Sequence, residues 1–150
     1  MMSATKRVHI CLVVKDIDAN VTFYTRLFGE PPTIVKPDYA KWRLEDPKLN
    51  FSIDAHGDKP GLDHLGIELE SAERVTAALE HYRQGGIDVF GETQIVCGYH
   101  RTDKGWVTDP QAVLWETFFS PEVTPHYGSL NEQVTAEVAN RERRIEDQAR

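Results

Sequence analysis

Residues 61–71, GLDHLGIELES, set a histidine inside an alternating strand and end on a serine placed to cap a helix. Residues 8–16, VHICLVVKD, repeat the pattern, with His9 in the strand and Asp16 at the cap position. Outward from each, the same order of signals follows. After Asp16 comes IDANVTFYTRLFG, with Ile17, Val21, Tyr24 and Phe28 on one helical face, ended by Gly29, Pro31 and Pro32. After Ser71 comes AERVTAALEHYRQ, stopped by Gly85 and Gly86. Strand candidates close the first half at 33–36, 39–45 and 49–55, and the second at 87–96, 104–108 and 112–119. Both halves read strand, helix, strand, strand, strand, an internal repeat. The expected fold class is α+β: two paired βαβββ modules, about 7–56 and 61–120, in one domain spanning 1–128. Beyond it, 129–150 is polar, with apolar residues at Leu130, Val134, Val138 and Ile145. That narrow stripe predicts a marginal helix or a frayed, disordered tail, with a dimer contact as the sharper alternative.

Composition sets limits on function. A chain of 150 residues with 40% hydrophobic content suits one domain with a core of its own. The net charge of -7 gives no broad attraction to phosphate backbones, so nucleic acid is not an expected partner. No apolar run approaches the roughly 20 residues of a membrane span, which predicts a soluble, cytoplasmic protein with no membrane partner. In that compartment the two cysteines, Cys11 and Cys97, are expected as thiols rather than as a disulfide.

Side chains alternate along a strand, so parity assigns the polar residues to faces. Val8, Ile10, Leu12 and Val14 take the helix-facing row of the first strand, which turns His9, Cys11 and Val13 to the other side. Leu65, Ile67 and Leu69 do the same in the second half, turning His64, Gly66 and Glu68 away. In the last strand Leu114, Glu116 and Phe118 share a face. An imidazole or carboxylate in mid-strand needs a partner. A lone strand histidine is more often a hydrogen-bonded core residue than a ligand, but two at equivalent places plus a final-strand carboxylate favour one metal held by His9, His64 and Glu116. Two neutral imidazoles and a carboxylate suit a divalent first-row metal and leave positions open for substrate and dioxygen. Such a set is typical of non-haem iron(II) oxygenases, with nickel, zinc, manganese or cobalt as alternatives. Asp54, sharing a face with Ser52, would supply a fourth ligand in a glyoxalase-like site. His56, His81 and His126 lack the support of the repeat.

Residues 91–105, GETQIVCGYHRTDKG, hold three glycines, one cysteine and mixed charge, which predicts a mobile loop over a site. There Cys97 is the candidate to bind a thiophilic small molecule, with Tyr99, His100 and Lys104 beside it and Arg101 as a further cation to support a thiolate. An ordinary hairpin cysteine is the competing reading.

The order HICLVVKDIDANVTFYTRLFG, VKPDYAKWRLEDPKLNFSI, GLDHLGIELES and CGYHRTDKGWVTDPQAVLWETF resembles the cadmium-induced and organoarsenical carbon-arsenic lyase family of the vicinal oxygen chelate (glyoxalase/bleomycin resistance/extradiol dioxygenase) superfamily, over about residues 7–128. The resemblance implies curved sheets from two βαβββ modules around a metal. It implies iron(II)-dependent, oxygen-requiring cleavage of a carbon-arsenic bond in trivalent arsenicals, with arsenite released. It places the iron ligands on His9, His64 and Glu116, and the family's arsenic-binding pair of adjacent cysteines on Cys97 and Gly98. Gly98 leaves one thiol where two would chelate, and Cys11 is the other thiol the chain offers. Asp54, where a small polar residue is more usual, and Ala112, where a turn glycine is usual, are lesser departures. Three functions stay open: an arsenical lyase, another metal-dependent dioxygenase or glyoxalase-like enzyme, and a non-catalytic binding protein for a soft metal or drug. A homodimer is implied by analogy with the superfamily alone.

Overall fold

The computed structural model describes residues 6–97 and 100–120, with backbone alone at 93–97 and 100–103. The 129–150 tail and Tyr99 lie outside the described residues. The chain is α+β, two successive βαβββ runs: β1 (Arg7–Val13), α1 (Ile17–Phe28), β2 (Ile34–Lys36), β3 (Tyr39–Glu45) and β4 (Lys48–Asp54), then β5 (Gly61–Glu68), α2 (Ala72–Gln84), β6 (Phe90–Cys97), β7 (His100–Thr108) and β8 (Leu114–Phe119). Among the described residues, no helix is long and apolar enough to cross a membrane. Tertiary contacts divide the chain into two compact units, with the boundary between Ile67 and Glu68 at the end of β5.

In the N-terminal unit, Lys6–Ile67, the strands run in the order β2-β3-β4-β1-β5. β1 lies parallel to β4, and β3 pairs antiparallel with β4. α1 starts where the Asp16 carboxylate accepts from the Ala19 N–H at 2.9 Å, and ends at Gly29, whose φ of 76° is the left-handed turn a glycine takes without strain. Its apolar face, Val21, Tyr24 and Phe28, packs on a cluster of Val14, Ile17, Ala40, Trp42, Leu44, Phe51 and Ile53, joined by Ile10 and Leu12. Tyr24, Phe28, Trp42 and Phe51 meet mostly in tilted and edge-on contacts, and the Trp42 indole N–H donates to the Glu30 carbonyl. Strand parity therefore holds for Ile10, Leu12 and Val14. Val8 differs: it lies outside the cluster that α1 covers and is 50% exposed. The face turned from α1 carries His9 and Cys11, and by register Asn50, Ser52 and Asp54 of β4, all buried.

In the C-terminal unit, which takes Glu68 and the elements after it, the order is β8-β7-β6, all antiparallel. α2 is capped by Ser71, whose hydroxyl accepts from the Arg74 N–H at 3.2 Å. It lies close on β7: a Cβ added to Gly105 would stand 2.7 Å from Leu79 Cδ1, so the glycine is what allows the approach. Tyr82 of α2 bonds the Thr117 hydroxyl at 3.1 Å, fixing Thr117 to the helix side of β8. Its strand neighbour Glu116 is consequently turned to the other face, with Trp106 opposite it across the β7–β8 ladder. The expected mobile loop at 91–105 is instead mainly strand, β6 and β7 forming a hairpin with Cys97 paired to His100. Glycines that read as loop punctuation serve here as a positive-φ position at Gly91 and a helix-contact position at Gly105.

Candidate metal centre

β1 and β5 are neighbours in the N-terminal unit, and each carries its histidine on the face turned from α1. The two rings come together, with His9 Nε2 3.0 Å from His64 Nε2 and ring centroids 4.9 Å apart. Both are buried, at 7% and 6% exposure. What lies behind each ring decides its tautomer. His9 Nδ1 sits 3.1 Å from both the backbone carbonyl and the side-chain carbonyl of Asn50, two acceptors, so Nδ1 carries the proton and donates. His64 Nδ1 sits 2.6 Å from Asp63 Oδ2, which places its proton there too. In the neutral rings, both lone pairs then occupy Nε2 and face one another across 3.0 Å. Two lone pairs at that distance repel unless a cation joins them, and the cation is a shared proton or a metal ion.

The spacing also bears on coordination. Two nitrogens 3.0 Å apart are close enough for both to reach one ion at about 2.1 Å. The acceptors behind the rings, Asn50 and Asp63, are the kind of group that orients metal-binding imidazoles and raises their basicity. The pair fits a divalent metal.

Other candidates fall as follows. Glu116 is partly buried on β8, and its Oε1 lies 3.8 Å from Lys104 Nζ. Lys104 is buried at 7% exposure, with its ammonium 5.8 Å from the centre of the Trp106 ring. The lysine expected beside a substrate thus has a carboxylate and an indole for company. Asp54 Oδ1 accepts the His56 N–H at 3.0 Å, and Oδ2 lies 3.6 Å from Cys11 Sγ. Cys11 is 1% exposed, and burial pushes its thiol well above the ordinary range; a hydrogen bond with Ser52 opposes the shift, and the charges of Asp54 and Asp63 add to it. Cys97 closes β6 and His100 opens β7; their side chains lie outside the description, as does Tyr99.

Residues 6–117 match the family model of the Glyoxalase/Bleomycin resistance protein/Dioxygenase superfamily. The chain is 38% identical over 118 residues to a trivalent organoarsenical cleaving enzyme of Bacillus sp. (strain MD1), covering 77% of this chain and 73% of that protein. It is 35% identical to the cadmium-induced protein CadI of Mycobacterium bovis, covering 75% of this chain and 74% of that one. Among solved structures, homoprotocatechuate 2,3-dioxygenase from Arthrobacter globiformis superposes with a TM-score of 0.58 at 18% identity, over 91% of this chain and 41% of the dioxygenase. At that identity the likeness is one of fold.

Proposed function

Since the chain belongs to the glyoxalase/bleomycin resistance protein/dioxygenase superfamily, in company with trivalent organoarsenical cleaving enzymes and a cadmium-induced protein, we propose that it is a metal-dependent, oxygen-requiring lyase acting on trivalent organoarsenicals. The observation that carries this reading is the facing pair of Nε2 atoms, each backed by an acceptor at Nδ1. We assign the metal to His9, His64 and Glu116. Glu116 is favoured because it lies on the β8 face turned from α2, as the histidines lie on faces turned from α1, and because β8 is the strand that closes the repeat.

Iron(II), the metal proposed, would supply the reducing and oxygen-activating chemistry that cleavage of a carbon-arsenic bond requires. The protein's part is positioning. Asn50 and Asp63 hold the two rings in the tautomer that offers Nε2. The Lys104 ammonium, 3.8 Å from Glu116 Oε1, is placed to orient that side chain. Cys97 is the proposed anchor for arsenic: its sulfur displaces one hydroxyl from the trivalent arsenic, and the thiol proton leaves with that hydroxyl as water. The experiment is to load the chain anaerobically with iron(II), add methylarsenite and then oxygen, and measure oxygen uptake with arsenite release. The expected result is coupled uptake and release, abolished in Glu116→Ala, with Cys97→Ser raising KM. Release of arsenite without oxygen uptake contradicts the reading.

Gly98 favours a second reading, because one thiolate holds arsenic less firmly than a chelating pair. There the metal serves another dioxygenase or a glyoxalase-like reaction. Oxygen uptake with a catechol and none with methylarsenite selects it.

A further inference from the structure

Beside the imidazole pair, the N-terminal unit gathers a second set of donors: Cys11 Sγ, an Asp63 carboxylate oxygen and a His64 ring nitrogen all lie within 4.8 Å of one another. The established similarities assign nothing to Cys11. It sits two residues from His9 on the same face of β1, 1% exposed, in polar company: Ser52 opposite it by register and Asp54 Oδ2 at 3.6 Å. A buried thiol chosen for packing alone meets apolar neighbours; this one meets carboxylates. We propose that Cys11, Asp63 and His64 form a binding site for a thiophilic divalent cation of the zinc or cadmium class, in competition with the metal held through His9 and His64.

Charge balance and softness both favour such an occupant. Among the ligands themselves, a thiolate and a carboxylate cancel the charge of a dication, whereas two imidazoles and one carboxylate leave one positive charge. Sulfur with nitrogen and oxygen selects a softer ion than nitrogen and oxygen alone. When the sulfur-metal bond forms, the thiol proton leaves, and the Asp54 carboxylate beside Sγ is its acceptor on the way to solvent. Competition follows because His64 is common to both sets and Asp63 is the carboxylate that otherwise orients it. Binding at Cys11 does not depend on the lyase reading; the competition does.

Cadmium(II) is the probe, titrated into the full chain kept reduced and followed by the ultraviolet sulfur-to-cadmium charge-transfer band and by equilibrium dialysis. The expected result is one equivalent bound with the band present in wild type, Cys97→Ser and Glu116→Ala alike. Cys11→Ser loses the band, with Cys11→Ala as a second variant and circular dichroism confirming that each folds. Asp63→Asn keeps the band but binds roughly tenfold to a hundredfold more weakly. A band that survives both Cys11 variants, or that disappears in Cys97→Ser, overturns the proposal. Loss of the band in Glu116→Ala also overturns it, since the cation would then sit in the other ligand set. Failure of iron(II) to bind, with the cadmium results intact, removes the lyase reading and leaves this site standing.

Discussion

Ala112 sits at φ 71°, in the left-handed region where a Cβ meets the following carbonyl. The turn it occupies is held by Asp109, whose Oδ1 accepts from the Gln111 and Val113 N–H groups and whose carbonyl accepts from Ala112, so the backbone cannot relax away. Ala112→Gly should therefore raise stability by about 0.5–1 kcal/mol, read as a higher Tm with unchanged metal affinity; a lower Tm would show that the turn does not carry this strain. Asn50 supports the second residue-scale prediction. Asn50→Ala removes one of the two acceptors at His9 Nδ1 and leaves the backbone carbonyl, so affinity for iron(II) or manganese(II) should fall, by up to roughly tenfold, without loss of fold. An affinity equal to wild type in calorimetry would show that Asn50 does not orient the ring. Both histidines could be found in the sequence from parity and repeat, but neither of the groups behind them could. Asn50 reaches His9 through the parallel β1–β4 register, and nothing local in the chain states which residue of a distant strand lies opposite. Asp63 precedes His64 directly, and alternation alone sends adjacent side chains to opposite faces; the carboxylate nevertheless meets His64 Nδ1 at 2.6 Å.

At the scale of elements, the approach of α2 to β7 rests on one missing methyl group. Gly105→Ala should cost about 1–3 kcal/mol in denaturant unfolding, because its Cβ would enter the space of Leu79. In a Leu79→Ala background the same change should cost much less, since the truncated side chain leaves room; equal costs in the two backgrounds would show that the contact does not matter. Helices and their ends were legible because their causes are local: Asp16 and Ser71 accept from their own first turns, and glycines follow both helices. The β6–β7 hairpin was less legible. Its glycines and charges match loop composition, and what makes them strand is pairing across the ladder from Phe90↔Trp106 to Cys97↔His100, information that composition does not hold.

For the whole molecule, the repeat carried most of what could be read in advance, since two runs of the same five elements put histidines at matching places. A metal that binds only the folded chain stabilises it by mass action, so removing it should show in global unfolding. A strong chelator is expected to lower Tm at neutral pH in wild type and to leave the Tm of Glu116→Ala unchanged; superimposable wild-type melting curves with and without chelator would mean that no metal supports the fold. The most direct test of the ligand assignment is anaerobic calorimetric titration of iron(II) into wild type, His9→Ala, His64→Ala and Glu116→Ala, each confirmed folded by circular dichroism. One equivalent bound by wild type and none by any of the three variants is the predicted result. Undiminished binding by Glu116→Ala, or by both histidine variants, would contradict it.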